Sequence, residues 1–387
     1  MSTAGPPQGA KAPLGGTDSR ACGFAAGPPQ GETRPLREAA TRIAVERGGK
    51  ISRRPVHGVL LLDKPLGWSS NDALQKAKWL LRAEKAGHTG TLDPLATGLL
   101  PLCFGAATKF SQLQLEADKT YEAVARLGVK TTTGDAEGEV IAERPVKVTA
   151  QDIKDVALRF TGLIRQIPPM HSALKKDGKA LYEYARAGIE VEREAREVTI
   201  YELNMTLAPV DSEYAAIKIV VKCSKGTYIR TLAEDIGEAL GCGAHLTALR
   251  RIETGGFDVA QCVTLAALEA MTDEERRRQL LPVQSLLREH TVVMLDEENA
   301  GRFLSGLRRR GSWLDDGQVA VYGPSTGSEQ AQRVLMGTAH VVAGELIPGR
   351  LLSPLEIEQI VADGGSGSGV LCAVPPAAPQ KTDFDQI

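Results

Sequence analysis

Residues 121–129 read YEAVARLGV, with Tyr121, Ala123, Ala125, Leu127 and Val129 at alternate positions. A period of two with small and apolar residues on one side predicts a strand with one buried face. Upstream, residues 56–65 (VHGVLLLDKP) form an apolar run ended by Pro65 and Gly67, which predicts a buried strand. Ser69 with Asp72 three residues on predicts a capping box that opens a helix to about Arg82. Downstream, strands are expected over 198–208 and 214–223. A helix follows with Ile229, Leu232, Ile236 and Leu240 on one face and Gly241 as its stop. Strands with turn signals, interrupted by single helices, predict an α+β chain built on a mixed sheet. A second unit of short strands is expected from near His290 to near Leu352, and no internal repeat is visible.

The chain has 387 residues, enough for two domains or one larger domain with appendages. Hydrophobic residues make up 42% and charged ones 24%, the balance of a chain that can bury a core. Six scattered cysteines contain no C-x-x-C pair, which argues against a zinc site and a disulfide framework and fits a reducing cytoplasm. Six histidines contain no H-x-x-x-H pair, so no metal is expected. No apolar run is long enough to cross a bilayer, and no signal-peptide pattern is present, so no membrane partner is expected. The net charge of −2 offers no global attraction to nucleic acid, so such a partner would need locally gathered lysines and arginines. Residues 1–55 carry nine Lys/Arg against four Asp/Glu without apolar periodicity, and read as a disordered basic tail. Glu32, Glu38 and Glu46 are out of place in a mitochondrial presequence. Residues 356–387 read as a C-terminal tail, flexible from about 364, where GGSGSGVLCAVPPAAPQ begins.

The chemistry-bearing residues flank these elements. In GHTGTLDPLATGLL (87–100), Asp93 is the only acidic residue after His88, and no lysine or arginine follows until Lys109. A turn accounts for Asp-Pro among glycines; so does a carboxylate sheltered for chemistry. In CSKGTYIRTLAE (223–234), Arg230 falls in the first turn of a helix, where a cation opposes the macrodipole by about 0.3–1 kcal/mol. It either reaches solvent or holds an anion. Tyr121 is a core residue or a plate on which a base stacks, and Tyr228 poses the same choice. His88 lies in a glycine-flanked loop from which its ring could project. The insertion at 165–196 gathers Lys175, Lys176 and Lys179, and residues 308–310 are all arginine; each is a solvated run or an RNA grip. The Asp93 loop has no G-K-[S/T] and does not match G-x-G-x-x-G, so a nucleotide site is not supported.

Four segments together resemble the TruB family, the bacterial tRNA pseudouridine-55 synthases. They are GVLLLDKPLGWSSNDALQKAK (58–78), AGHTGTLDPLATGLLPLCFGAATKFSQ (86–112), DKTYEAVARLG (118–128) and CSKGTYIRTLAEDIGEALGCGAHLTALRR (223–251). The resemblance runs in order from about 56 to about 352 and leaves out only the tails. It implies a mixed-sheet pseudouridine synthase catalytic domain with a central cleft over 56–288, with a thumb insertion at about 165–196. A small PUA-like RNA-binding β domain would follow over 289–355. By this resemblance Asp93 is the catalytic aspartate, Arg230 its ion-pair partner, and Tyr121 the ring that stacks on the uracil and joins the late proton transfer. His88 would fill the space left by the flipped base, and Lys64, Tyr228 and Leu246 would belong to the pocket wall.

The implied reaction isomerises uridine 55 in the T loop of tRNA, with tRNA folding assistance as a second role. Reactant and product are isomers, so neither cofactor nor metal is implied. The implied partner is the T-arm stem-loop, with no obligatory protein partner, and the chain would act as a cytoplasmic monomer. A pure tRNA-folding helper and a guide-RNA-dependent relative acting on ribosomal RNA are the competing readings. Only the first would be indifferent to Asp93, and only the second would need partner proteins.

Overall fold

The apolar run near the start is the strand Gly58–Lys64, and its alternation explains why residues 59–62 are all apolar. Leu60 and Leu62 enter one core cluster, while Val59 and Leu61 enter another on the opposite face. The structure, a computed structural model, describes residues 52–208, 214–324 and 333–364. Most of the expected basic tail, and the C-terminal tail beyond 364, lie outside the described residues. Residues 52–55 are described, and there Arg54 pairs with Asp273 at 2.9 Å while its N–H donates to Arg82 O at 2.9 Å. The fold therefore begins a few residues before Val56.

The helix expected after Ser69 is Ser70–Leu80. Ser69 Oγ accepts from the Asp72 N–H at 3.1 Å, but the Asp72 carboxylate takes the Ser69 hydroxyl at 2.7 Å, so the return bond of a full capping box is not formed. The helix stops short of Arg82, whose φ of +52° is left-handed. The alternating stretch that begins at Tyr121 belongs to the strand Lys119–Leu127, with Tyr121, Ala123, Ala125 and Leu127 buried as expected. Val129 does not continue it. Gly128 adopts φ +86°, and the chain turns into a separate hairpin of Val129–Thr131 with Val140–Glu143.

Ten strands form one mixed sheet. Its main path runs Val263–Thr264, Gly58–Lys64, Ala96–Phe104, Ala244–Thr254, Lys119–Leu127, Ala216–Cys223, Arg196–Leu207 and Gly162–Gln166. Two pairings are parallel, Ala244–Thr254 with Ala96–Phe104 and the terminal Val263–Thr264 with Gly58–Lys64. The central strand Ala244–Thr254 thus lies between the strand that follows the Asp93 loop and the strand that carries Tyr121. The helix Ile229–Ala239 buries Ile229, Leu232 and Ile236 and ends before Gly241 at φ +78°. Gln166 and Arg196 are direct partners across neighbouring strands, so residues 167–195 are an excursion whose ends meet. That excursion holds a hairpin of Lys175–Lys176 with Lys179–Ala180 and the helix Leu181–Arg186.

A second, five-stranded sheet orders Thr291–Met294, Asp316–Pro324, Arg333–Val342, Glu345–Leu351 and Arg309–Arg310. Its residues Ala320, Tyr322 and Leu335, with Leu352 just after the strand Glu345–Leu351, share an apolar cluster with Val59, Leu61, Leu99 and Cys103 of the large sheet. The change of sheet near 289 is consequently not a gap in packing, and the described residues form one compact unit. Residues 356–364, expected in a tail, instead belong to the helix Pro354–Gly364. Ser353 and Glu356 cap each other there: the Glu356 N–H donates to Ser353 Oγ at 3.3 Å and the Ser353 N–H to Glu356 Oε2 at 2.7 Å. Ile357 and Ile360 pack against the shared cluster, which is why the segment is held.

Candidate active site

The Asp93 loop is pinned from beneath. Ser70 Oγ, at the start of a helix, donates to Leu92 O at 3.0 Å and accepts from Leu92 N–H at 2.8 Å. The Ala96 N–H closes the turn on Asp93 O at 3.0 Å, and the Gly67 N–H ties Pro94 O to the neighbouring loop at 2.9 Å. The Asp93 carboxylate is left at the mouth of the site, 39% exposed, with Oδ2 2.8 Å from Arg230 Nη2. The Arg230 side chain is only 5% exposed. Although Arg230 is in a first helical turn, its guanidinium turns inward, donating to Thr133 O at 3.1 Å and to His171 O at 2.7 Å. Asp135 Oδ2 lies 3.7 Å from its Nη1. Asp135 is itself buried and accepts from Thr133 Oγ1 at 2.5 Å and from the Glu137 N–H at 3.1 Å.

Burial raises the Asp93 pKa above its ordinary value, Arg230 opposes it, and the Asp135 charge adds to the rise. The net direction is upward: the ion pair is real, but it does not fully offset desolvation. Such a carboxylate is more basic and more nucleophilic once ionised than one in water.

Lys64, at the end of its strand, is fully buried and donates to Pro65 O at 3.0 Å and Trp68 O at 2.6 Å. Burial lowers its pKa to about 8, against the opposing charges of Asp93 and Glu137. Tyr121 is 8% exposed on the central sheet, and burial raises its pKa. Tyr228 caps the Arg230 helix, and its main chain is fixed twice by Gln166, whose Oε1 accepts from Tyr228 N–H at 3.1 Å and whose Nε2 donates to Tyr228 O at 3.3 Å. Leu246 is wholly buried in the core cluster that also holds Tyr121 and Ala125.

His88 departs from expectation. It is not in a loop but ends the short strand Ala86–His88, opposite Leu102. Its Nδ1 is buried without a partner, and burial lowers its pKa, which favours the neutral ring. Arg251 acts on it; Asp93 is not among the groups that do. Lys64, Asp93 and Arg230 are electrostatically coupled, and Tyr121 and Tyr228 both feel Asp93.

Asp135, Gln166 and Arg251 were not foreseen. Asp135 had a readable signal, since TTTGDAEGE sets an aspartate beside small polar residues and glycine much as the Asp93 loop does. Gln166 and Arg251 carried none, because only strand pairing shows that they face inward. Among the described residues no group of three or more His, Cys, Asp or Glu is gathered as a metal site requires. Among them, too, no helix is long and apolar enough to cross a membrane.

Comparison with known proteins follows the same segments. The pattern described as TruB family pseudouridylate synthase (N terminal domain) matches residues 78–229. The tRNA pseudouridylate synthase B C-terminal domain matches 230–288. The chain is 61% identical over 316 residues to tRNA pseudouridine synthase B of Verminephrobacter eiseniae (strain EF01-2), covering 81% of this chain and 94% of that protein. It is 57% identical over 311 residues to the protein of the same name from Ralstonia pickettii (strain 12J), covering 80% and 98%. A chain in the crystal structure of a Cbf5-Nop10-Gar1 complex shares the fold, with a TM-score of 0.58 at 24% identity, over 81% of this chain and 92% of that one. The α+β mixed sheet is that of the pseudouridine synthases, and the five-stranded sheet is PUA-like. This chain belongs to the TruB family of tRNA pseudouridine synthases, enzymes that isomerise uridine to pseudouridine.

Proposed function

We propose that the chain converts uridine 55 in the T loop of tRNA to pseudouridine, with Asp93 as the catalytic carboxylate. The observation that carries this reading is the 2.8 Å pairing of a half-exposed Asp93 with an almost fully buried Arg230. The reaction breaks the bond from C1′ to N1, turns the uracil and joins C1′ to C5. It needs one polar actor that meets the sugar or the base in a site that excludes water. Asp93 is presented where a flipped nucleotide would enter, and Arg230, locked by two carbonyls, holds the carboxylate in place.

Flipping the base costs a few kcal/mol, and stacking on Tyr121 returns roughly 1–3 kcal/mol. His88, with its neutral ring, takes the space the base leaves, while Lys64, Tyr228 and Leu246 form the wall. Residues 167–195 act as the thumb over the T arm, and the five-stranded sheet touches RNA away from the pocket. The protein works as a monomer in the cytoplasm, without a protein partner, and also helps tRNA to fold.

Incubating the protein with unmodified tRNA and mapping pseudouridine tests this. One new pseudouridine is expected, at position 55, both in whole tRNA and in an isolated T-arm hairpin. Modification elsewhere would overturn the position. A requirement for added proteins would favour a guide-dependent enzyme. Tight binding and faster tRNA folding with no modification would leave only the folding role.

A further inference from the structure

Among the described residues Arg251 is the largest side chain that is almost wholly buried, at 1% exposure. Among the described residues no carboxylate pairs with it. Its Nε donates to Leu99 O at 2.7 Å, and its buried Nη2 has no hydrogen-bond partner. An unpaired buried cation costs several kcal/mol, so its retention calls for a reason.

Its position supplies one. Arg251 and Tyr121 are direct partners across adjacent antiparallel strands, so their side chains leave the sheet on the same face. A Cβ placed on Gly90 would lie 3.5 Å from Arg251 Nη1, so the guanidinium also underlies the turn that leads to Asp93. Lys64, His88 and Lys119 all feel the Arg251 charge. The groups acting on the Tyr121 phenol are Arg251, Cys223 and Asp93. Burial disfavours charge on that oxygen, and Arg251 is the strongest influence the other way.

We infer that Arg251 is a positioning residue for the last step of pseudouridine formation, holding the Tyr121 oxygen while it exchanges protons with the rotated uracil. This rests on the function proposed above. Once C1′ has joined C5, that carbon carries both the sugar and its hydrogen, and N1 is doubly bonded to C6. The phenol gives its proton to N1 and takes the proton from C5. The C5–H electron pair becomes the C5–C6 double bond, the N1–C6 π pair becomes the new N1–H bond, and nothing is oxidised. The phenol oxygen gathers negative charge in passing, and the guanidinium of its cross-strand partner Arg251 is a donor on the same face of the sheet. Such hydrogen bonds are often open in the free enzyme and close as charge develops.

The test is single-turnover release of tritium from C5 of the target uridine in a T-arm hairpin, with C5-deuterated substrate run in parallel. Arg251→Gln should slow release on the order of 10²-fold and expose a deuterium isotope effect, while hairpin binding stays near wild type. In a Tyr121→Phe background Arg251→Gln should slow release no further, because both act on one oxygen. Equal slowing in both backgrounds with no isotope effect would assign Arg251 a structural role only, and unchanged release in the single variant would also overturn the proposal. If Arg251→Gln does not fold, Arg251→Lys decides: it keeps the buried charge but loses the planar fork of donors that holds two directions at once, so it should fold yet show the isotope effect. Asp93→Asn separates the two readings. Full release from that variant overturns the proposed function itself, whereas an inert Asp93→Asn beside a normal Arg251→Gln overturns only the inference.

Discussion

The Asp93 carboxylate has a folded-state pKa above its ordinary value, because burial and Asp135 outweigh Arg230 and Lys64. A raised carboxylate pKa means that the folded protein holds its proton longer than the unfolded chain as pH rises through that range. The ionised side chain therefore costs stability at neutral pH, and the cost disappears below the unfolded pKa. Asp93→Asn removes it, so the variant should melt at or above the wild-type temperature at pH 7 while turnover falls by several orders of magnitude. Calorimetry beside a pseudouridine assay checks both halves; a clearly lower melting point would mean that the Arg230 pair holds the fold together. The rate should decline with acid through a midpoint above the ordinary 3.8. Lys64→Met removes a cation that lowers the Asp93 pKa, so that acid limb should move to higher pH. A pH–rate profile in which the limb stays put would uncouple the two residues. Asp93 and Arg230 stood out because each is a charge in an awkward place, one in a loop without counter-charge and one against a helix dipole, but it was the family resemblance that implied their pairing. Arg251 was not, because Arg250 and Arg251 look alike in sequence. Only strand register sends Arg250 to an ion pair with Asp63 at 2.7 Å and Arg251 into the interior.

The excursion over 167–195 leaves and re-enters the sheet at paired residues, Gln166 and Arg196, so a short turn could replace it without altering the flanking register. The replacement should keep near-native circular dichroism and melting. It should lose most turnover and some hairpin affinity, because Arg230 loses the His171 carbonyl and the RNA loses Lys175, Lys176 and Lys179. Full activity after the exchange would show that the excursion is dispensable. The pin under the Asp93 loop makes the opposite kind of element. Ser70→Ala removes two buried hydrogen bonds to Leu92 and should cost roughly 1–3 kcal/mol in denaturant unfolding. Alternation and capping signals located these elements well; their ends were harder. The apolar alternation runs straight through Gly128, and nothing in the pattern says that its φ of +86° starts another hairpin. The small hairpin at Asp177-Gly178 did carry a turn signal, an Asp-Gly pair with φ of +53° and +80°, but it was hidden inside a stretch read for its charge.

The two sheets share one apolar cluster, and the helix Pro354–Gly364 closes its edge. Low-complexity sequence just beyond the helix masked it, although Ser353-x-x-Glu356 is a capping signal of the same kind as the Ser69–Asp72 spacing that marked a helix start. The two chain ends should therefore answer truncation differently. Removing residues 1–51 takes away the stretch read as a basic tail, and melting should not change. At low salt, hairpin affinity should drop modestly as basic residues are lost, an effect that fades as salt rises. Ending the chain at Ser353 removes much more. Ile357 and Ile360 leave the shared cluster, Lys109 loses its 2.6 Å pair with Glu356, and His57 loses its 2.9 Å bond with Gln359. Two half-buried isoleucines and a partly buried ion pair amount to about 2–4 kcal/mol. His57 Nδ1 also accepts from the Ala106 N–H at 2.9 Å, in the turn that follows the Ala96–Phe104 strand, so the damage reaches the strand leading back to Asp93. Because the cluster is common to both sheets, the truncated chain should unfold in one transition at a lower temperature, not lose the small sheet first. Calorimetry distinguishes the cases: two separated transitions would mean that the sheets are independent folding units, and an unchanged single transition would mean that the helix adds nothing to the cluster it covers.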